Sequence, residues 1–218
     1  MGRLPEAWIA PPQVRELREL VRYRAKLVAL RSGLKAQVHA VLAKAGVLTG
    51  VRPVRYRRPG LAGADPAGRP YAQRVGSLLK LIDELNAGEP LFNDRIAERL
   101  RGHAGYRALQ QLPGIGTTLA AVLVAEIGDV HRFASAGSAC SWAGLTPRHY
   151  ESDTVLRRGH VTKQGSKLVR WAVVEAIQRK TTSKITEDRA RIEARRGRNI
   201  AEIRRGPQAA HAGLLRAP

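Results

Sequence analysis

The sequence predicts a mainly α-helical protein: a long amphipathic, coiled-coil-like helix followed by a small helical domain that contains a helix-hairpin-helix-like turn. Apolar residues recur at intervals of three, four and seven across more than thirty residues near the start of the chain. Helical spacing returns from residue 71, and residues 71–105 show no alternation of period two that would indicate a strand. Gly and Pro separate the helical segments, as expected at helix ends.

The composition indicates a chain that folds around an aliphatic core. Hydrophobic residues make up 44% of the 218 residues, which argues against disorder of the whole chain. The single cysteine, Cys140, excludes an internal disulfide framework and a cysteine-based zinc finger. No apolar run approaches the ~20 residues of a membrane span, and the first residues do not form a secretory signal. We therefore expect a cytoplasmic, nucleoid-associated protein with no membrane partner.

The net charge of +20 is concentrated towards both ends of the chain. It is +10 over residues 1–70, zero over 71–140, +5 over 141–180 and +5 over 181–218. Arginine-rich helix faces exposed to solvent explain either end taken alone. Basic charge at both ends favours contact with phosphates, so DNA is the expected partner.

A long helix is predicted over residues 12–50, entered through Pro11 and Pro12. Thirty residues of helix span about 45 Å. The apolar stripe of this helix either folds back on the same chain or pairs with a second chain. No other segment predicts an equally long helix, so we expect a homo-oligomer or pairing with a longer relative.

The next segments are predicted as a linker and a helix pair. Residues 51–70 are rich in Gly and Pro, which is typical of a linker. Residues 71–105 predict two helices, Tyr71 to Asn86 and Pro90 to His103, because the joint between them combines Gly88 with a proline.

A glycine turn follows at residues 112–116, where Pro113, Gly114 and Gly116 separate two helices. In a helix-hairpin-helix, the turn amides and the following helix N-terminus face a DNA phosphate and read no sequence, so Gly114 and Gly116 are candidate DNA contacts. A plain turn between core helices is the alternative. Glu126 and Asp129 lack a third carboxylate at suitable spacing, so capping or ion pairing is favoured and no metal site is predicted.

The densest basic segment covers residues 141–175 and contains a predicted loop from Arg148 to Gly165. Within it, Ser152 lies between Glu151 and Asp153. A serine hydroxyl attacks a phosphodiester when cations neutralise the charge of the transition state, whereas a serine beside acids is ordinarily a turn or cap residue. The candidate phosphate contacts are Arg148, Arg157, Arg158, Lys163, Lys167 and Arg170.

Three strings carry a resemblance to a known family. LPGIGTTLAAVLVAEIGDVHRF, SWAGLTPRHYESD and RRGHVTKQGSKLVRWAVVEA together resemble the transposase domain of the insertion-sequence 110 family, with the 116 and 902 groups. The upstream string PPQVRELRELVRYRAKLVALRSGLKAQVHAVLAKAG is similar to the segment that links the two domains of that family. The resemblance covers roughly residues 4–203, with its motifs in the expected order.

The resemblance implies an RNA-guided DNA recombinase of a mobile element. The family carries an N-terminal ribonuclease-H-like (RuvC-type) domain with an Asp/Glu/Asp/Asp metal site, then a coiled coil, then the transposase domain. Its nucleophilic serine corresponds to Ser152, and Arg157, Arg158, Lys163 and Lys167 match the stretch near the scissile phosphate. Asp153 either orients a neighbouring arginine or forms a turn.

The four metal-binding acids of the family have no counterpart in this sequence. We accordingly interpret residues 1–11 as the remnant of an upstream domain, 106–205 as the transposase-type domain and 206–218 as an atypical, disordered tail. This interpretation predicts a truncated copy without a cofactor of its own, since Mg²⁺ is expected only with the RuvC-type domain. A guide RNA is a further expected partner. The alternative is a non-catalytic nucleic-acid-binding remnant that pairs with a full-length relative.

Overall fold

A computed structural model describes residues 8–46, 69–152, 155–178, 184–198 and 200. Residues 51–68 of the predicted linker, residues 1–7 of the predicted remnant and the tail 206–218 lie outside these residues, whereas the last two residues of the predicted linker begin α2. The mainly α prediction is confirmed, because the described part of the chain contains seven helices and a single two-stranded sheet. The elements are α1 Pro12–Lys44, α2 Arg69–Leu100, α3 Ala104–Gln110, α4 Thr117–Ile127, α5 Ala136–Trp142, β1 Pro147–Ser152, β2 Val155–Val161, α6 Lys167–Gln178 and α7 Lys184–Arg196.

The chain divides into two units, of which the two-helix unit comprises residues 20–95. In this unit α1 and α2 run antiparallel, because Arg24 bonds to Asn93 and Arg31 bonds to Asn86. An aliphatic core closes the pair and consists of Val38, Val41, Leu42, Val75, Leu78 and Ile82. The expectation that α1 has no equally long partner in this chain is therefore wrong, since α2 is 32 residues long and α1 is 33.

The predicted helix break between Asn86 and Pro90 is also wrong, because α2 is continuous through both residues. An interior proline costs about 3 kcal/mol in a helix, since it removes a hydrogen bond and crowds the preceding turn. The neighbouring Glu89 accepts hydrogen bonds from both Arg24 and Arg31 of α1. These contacts, next to the aliphatic core, hold the segment in helical geometry, and local sequence signals do not reveal them.

The larger unit comprises residues up to 19 and from 96 onwards. Its centre is α4, in which every residue from Leu119 to Ile127 is buried, and α4 packs against α3 and α6. Arg18 of α1 donates from Nε to the carbonyl of Ala125 and from Nη2 to that of Glu126. A cation at this position satisfies the carbonyl groups that the helix C-terminus leaves open.

The predicted loop from Arg148 to Gly165 is wrong over most of its length, because β1 and β2 form an antiparallel hairpin there. All residues of β1 after Pro147 are exposed. A strand with no apolar face lacks the hydrophobic alternation by which sequence patterns are recognised. The hairpin therefore follows from backbone pairing and from contacts at its base.

Candidate nucleic-acid interface

Ser152 is the last residue of β1 and is exposed. The hairpin register pairs Ser152 with Val155 and Tyr150 with Arg157. Side chains alternate along a strand, and directly opposed residues share a face. Arg148, Tyr150, Ser152 and Arg157 consequently share one face of the hairpin, with Ser152 diagonal to Arg157 at a typical spacing of about 7–8 Å.

Of two other residues predicted at the site, the structure describes one only in part and the other not at all. Arg158 pairs in register with His149, one position beyond the Tyr150–Arg157 pair, and its side chain lies outside the described atoms. Asp153 lies outside the described residues altogether. The hairpin thus brings Ser152 and Arg157 together and places Arg148 towards the other end of the same strand, whereas the predicted roles of Arg158 and Asp153 stay predictions.

The base of the hairpin is fastened to the end of α5. The amide of Thr162 donates to the carbonyl of Thr146 at 2.9 Å, and the amide of Lys163 donates to that of Gly144 at 3.1 Å. Gly144 has φ +69°, and a Cβ there would lie 1.9 Å from the carbonyl oxygen of Gln164. Only glycine allows the two backbones to approach so closely, which fixes where the hairpin starts.

Lys163 is exposed and has φ +56°, whereas lysine ordinarily avoids this left-handed conformation. The conformation costs about 1–3 kcal/mol and persists only where surrounding contacts impose it. The hydrogen bond from the backbone amide of Lys163 to the carbonyl of Gly144 is one such contact. The structure thus places this predicted phosphate contact at the base of the hairpin, at the end opposite to Ser152.

Arg170 differs from the other predicted phosphate contacts. Its Nη1 donates to the carbonyls of Ala143 at 3.0 Å, Gln164 at 2.8 Å and Gly165 at 3.1 Å. This guanidinium therefore ties α6 to both the end of α5 and the loop after β2. Its geometry supports a positioning role, which a count of positive charges cannot distinguish from phosphate binding.

Two groups of candidate contacts lie at opposite ends of α6. Lys167 is exposed and begins the helix, which Ser166 caps by accepting from the amide of Val169. Gly114, with φ +87°, lies at the other end, where a Cβ would come within 2.2 Å of the carbonyl oxygen of Ala176. The nine steps from residue 167 to residue 176 correspond to about 13 Å of helix.

The glycine turn connects α3 and α4, as the sequence predicts. Gly116 is exposed and is the N-cap of α4, where it provides no side-chain hydrogen bond. Ile115 donates its amide to the carbonyl of Leu112 and is buried. Gly114 thus serves helix packing, while Gly116 leaves the N-terminus of α4 open on the surface.

A cluster of aromatic rings around Arg132 supports the segment before the hairpin, and sequence reasoning missed it. The guanidinium carbon of Arg132 lies 4.5 Å from the Trp8 ring centroid, 4.1 Å from that of Phe133 and 4.7 Å from that of Trp142. Burial among these rings lowers the pKa of Arg132. A Cβ on Gly165 would lie 2.0 Å from the backbone carbonyl oxygen of Trp142, so the chain at Trp142 packs closely against the segment that follows β2.

Sequence reasoning also missed Tyr150, which is 58% exposed on the face that carries Ser152. A solvated aromatic ring between arginines is a signal for nucleic-acid contact that the strand register makes visible. Cys140 offers no comparable signal, since burial raises the pKa of its thiol. Among the described residues, no group of three or more His, Cys, Asp or Glu is arranged to hold a metal ion.

Asp129 has a local structural role. Its Oδ1 accepts from the amide of His131 at 2.8 Å, immediately after α4. Glu126 is buried within α4, and its backbone carbonyl accepts from Arg18. In the part of the chain that the structure describes, no helix is long and apolar enough to cross a membrane.

Comparison with known proteins identifies relatives among transposases. A protein of Pseudomonas aeruginosa described as a probable family 20 transposase is 27% identical over 164 residues, which cover 72% of this chain and 48% of the relative. The transposase for insertion sequence element IS1111A of Coxiella burnetii is 24% identical over 198 residues, covering 85% of this chain and 54% of the relative. This chain therefore spans about half the length of these relatives.

The family model for the transposase of the IS116/IS110/IS902 family matches residues 106–193. The match includes the glycine turn, α4, the β hairpin and α6, so every candidate contact described above falls within it. An insertion element IS110 protein of Streptomyces coelicolor is 28% identical over 99 residues, covering 45% of this chain and 24% of the relative. Residues 106–193 are therefore a transposase domain of the IS116/IS110/IS902 family.

Proposed function

We propose that this chain is the DNA-binding part of a recombinase that moves an insertion sequence, with Ser152 as its nucleophile. One observation carries the proposal: within the matched domain, the register of the hairpin puts Ser152 on the same face as Arg157. An exposed serine at the end of a strand is accessible to a backbone phosphate. The guanidinium group of Arg157, diagonal to Ser152, suits the geometry of that phosphate.

The reaction is a transesterification at phosphorus. Ser152 Oγ attacks the phosphorus atom and loses its proton to solvent, while the bond from phosphorus to one bridging oxygen breaks. The leaving strand takes up a proton as a free hydroxyl, and the other strand end stays joined to the protein as a phosphoserine. Attack by the hydroxyl of a different strand reverses these steps and reseals the DNA in a new combination.

The cations of the hairpin stabilise the transition state of this reaction. Charge on the phosphoryl oxygens increases as Ser152 attacks, and fixed positive groups lower the energy of that state. Arg157, diagonal to Ser152 on the same face, serves this role. Arg148 lies about 13 Å away along β1 and Lys163 lies at the opposite end of the hairpin, so these two cations bind neighbouring phosphates. The unusual backbone of Lys163 supports a role in binding such a neighbouring phosphate, since strained residues concentrate at functional sites.

The remaining contacts hold the duplex without reading its sequence. The open N-terminus of α4 at Gly116 suits a phosphate, because its amides and helix dipole both favour an anion. Lys167 contacts a second phosphate from the other end of α6. The length of α6 between Lys167 and Ala176, against which Gly114 packs, is about 13 Å and corresponds to roughly four phosphates at the 3.4 Å rise of one strand.

Strand transfer, in this proposal, also requires the RuvC-type half that the family resemblance implies. That half supplies the Asp/Glu/Asp/Asp site for Mg²⁺, and a guide RNA selects the DNA. Recombination then takes place on chromosomal DNA at the nucleoid. We expect little or no strand transfer from this chain by itself, although it binds DNA.

The test is formation of a covalent protein–DNA adduct. The full chain is mixed with a RuvC-type polypeptide from a relative, its guide RNA, Mg²⁺ and labelled DNA, and the products are separated on a denaturing gel. We expect an adduct that Ser152→Ala abolishes and that the matched control Ser141→Ala, exposed on α5, retains. An adduct that survives Ser152→Ala would eliminate Ser152 as the nucleophile.

A second candidate function is supported by the two-helix unit. A groove of about 740 Å³ runs along α1 and α2, with Leu30 and Leu81 exposed in it at 49% and 45%. Such an apolar groove suits pairing with a second copy or with a full-length relative, in which case the chain is a non-catalytic DNA-binding partner. The adduct assay distinguishes the candidates, because a non-catalytic partner yields no adduct of its own.

A further inference from the structure

We propose that Tyr150 is a stacking platform for an unpaired DNA base beside the phosphate that Ser152 attacks. The inference rests on the proposed function and adds a second contact on the same face of the hairpin. Its ligand class is single-stranded or locally unpaired DNA, because a base inside a duplex has both faces covered by its neighbours.

The ring of Tyr150 lies against β2 at Gly159. A Cβ on Gly159 would meet the Cε2 atom of Tyr150 at 2.8 Å, so the ring lies directly over this glycine. The backbone of β2 thereby supports the ring, while 58% of the residue stays exposed. A ring that is supported on one side and open to solvent loses little freedom when a flat ligand binds to it.

The neighbours of Tyr150 point to a nucleic acid as that flat ligand. Arg157 is directly opposite Tyr150 in the register, and Arg148 and Ser152 are two residues away on the same strand face. Cations beside an exposed aromatic ring form the usual combination in single-strand binding sites, where the backbone contacts the charges and a base stacks on the ring. Stacking one base on an aromatic side chain contributes about 1–3 kcal/mol, which is roughly 5- to 150-fold in affinity.

Two other roles for Tyr150 give different outcomes in the same experiment. In the first, the ring of Tyr150 only covers Gly159 in the sheet, and a leucine at position 150 fills this role in part. A chemical role for the phenol depends on its hydroxyl. Tyr150→Leu therefore keeps an apolar cover without a stacking ring, and Tyr150→Phe keeps the ring without the hydroxyl.

The experiment measures binding of the full chain to three fluorescent probes by anisotropy: a single-stranded oligonucleotide, its duplex, and an oligonucleotide of the same length without bases. Tyr71→Leu is the matched control, since Tyr71 is an exposed tyrosine on α2. We expect Tyr150→Leu to weaken single-strand binding about tenfold. We expect the affinities of Tyr150→Leu for the duplex and for the base-free probe to stay within twofold of those of the unchanged chain. Tyr150→Phe and Tyr71→Leu should bind all three probes as the unchanged chain does.

Equal single-strand affinity for Tyr150→Leu and the unchanged chain would overturn this inference alone. Equal losses on all three probes would also overturn it, because they would indicate a structural role, and loss with Tyr150→Phe would assign the effect to the hydroxyl instead. A comparison of two probes on the unchanged chain tests the inference without any substitution, since we expect this chain to bind the single strand more tightly than the base-free probe. Absence of any salt-sensitive DNA binding would overturn the proposed function, and this inference with it.

Discussion

At the scale of single residues, a positive charge acquires its role from its neighbours. Arg18 closes the end of α4, Arg24 and Arg31 bond to Glu89, and Arg170 ties α6 to the hairpin base. All four count towards the net charge of +20, yet these contacts lie within the chain. The exposed cations at Arg148, Arg157, Lys163 and Lys167 are better placed for phosphates.

Replacing Arg170 with alanine tests this distinction. The change removes the hydrogen bonds to three carbonyls, and hydrogen bonds from a charged donor typically contribute about 1.5–3 kcal/mol each before screening by solvent. Because these bonds are partly exposed, we expect a total loss of about 1–3 kcal/mol and a lower midpoint of thermal unfolding. Lys167→Ala is the control and should change stability by less than about 0.5 kcal/mol. Circular dichroism melts that show both variants equally stable would contradict the positioning role.

At the scale of elements, packing decides what local sequence leaves ambiguous. The helical periodicity correctly predicts α1, and the glycine turn is predicted at the right place between α3 and α4. The sequence wrongly predicts a helix break at the proline of α2 and a loop at the polar strands of the hairpin. The conformations of both segments depend on partners that are distant in the sequence. Ser152 and Arg157 are both predicted as site residues, but only the strand register shows that they share a face.

A prediction for the hairpin follows from the close approach of the backbones of Gly144 and Gln164. Gly144→Ala places a Cβ 1.9 Å from the carbonyl oxygen of Gln164 and forces a left-handed residue, so we expect a loss of about 3 kcal/mol or more in the free energy of unfolding. Gly76→Ala is the matched control, because Gly76 lies inside α2 with no atom within 4 Å of its Cβ. The control should gain about 0.5–1 kcal/mol. Urea titrations measure both changes, and a stable Gly144→Ala variant would refute the packing argument.

The carboxylate of Glu89 supplies the prediction for the two-helix unit. Its side chain is 13% exposed and accepts from Arg24 and Arg31, so Glu89→Gln leaves two guanidinium groups with a weaker acceptor. We expect a loss of about 1–3 kcal/mol in stability. The pair between Glu16 and Arg99 is more exposed, at 63% and 46%, and Glu16→Gln should cost less than about 0.5 kcal/mol. Similar losses for the two variants, measured by urea denaturation, would show that burial of the carboxylate is unimportant.

At the scale of the whole molecule, charge and apolar surface favour different partners. A net charge of +20 attracts DNA and repels a second copy of the chain, while the groove on the two-helix unit favours a second copy. The segment 20–95 itself carries a net charge of +9, so two copies repel each other even where the groove brings them together. Salt screens both electrostatic effects and leaves apolar burial largely intact.

The two associations should therefore respond to salt in opposite directions. Raising the salt concentration from about 50 to 500 mM should weaken DNA binding steeply, because each phosphate contact releases a condensed counterion. The same change should strengthen self-association, because screening reduces repulsion between chains of like charge. Sedimentation without DNA measures the second effect, with Leu30→Gln in the groove and Leu91→Gln on the exposed surface outside it as the matched pair. We expect only Leu30→Gln to shift the equilibrium to monomer, and equal dimerisation of both variants would place the contact between copies away from the groove.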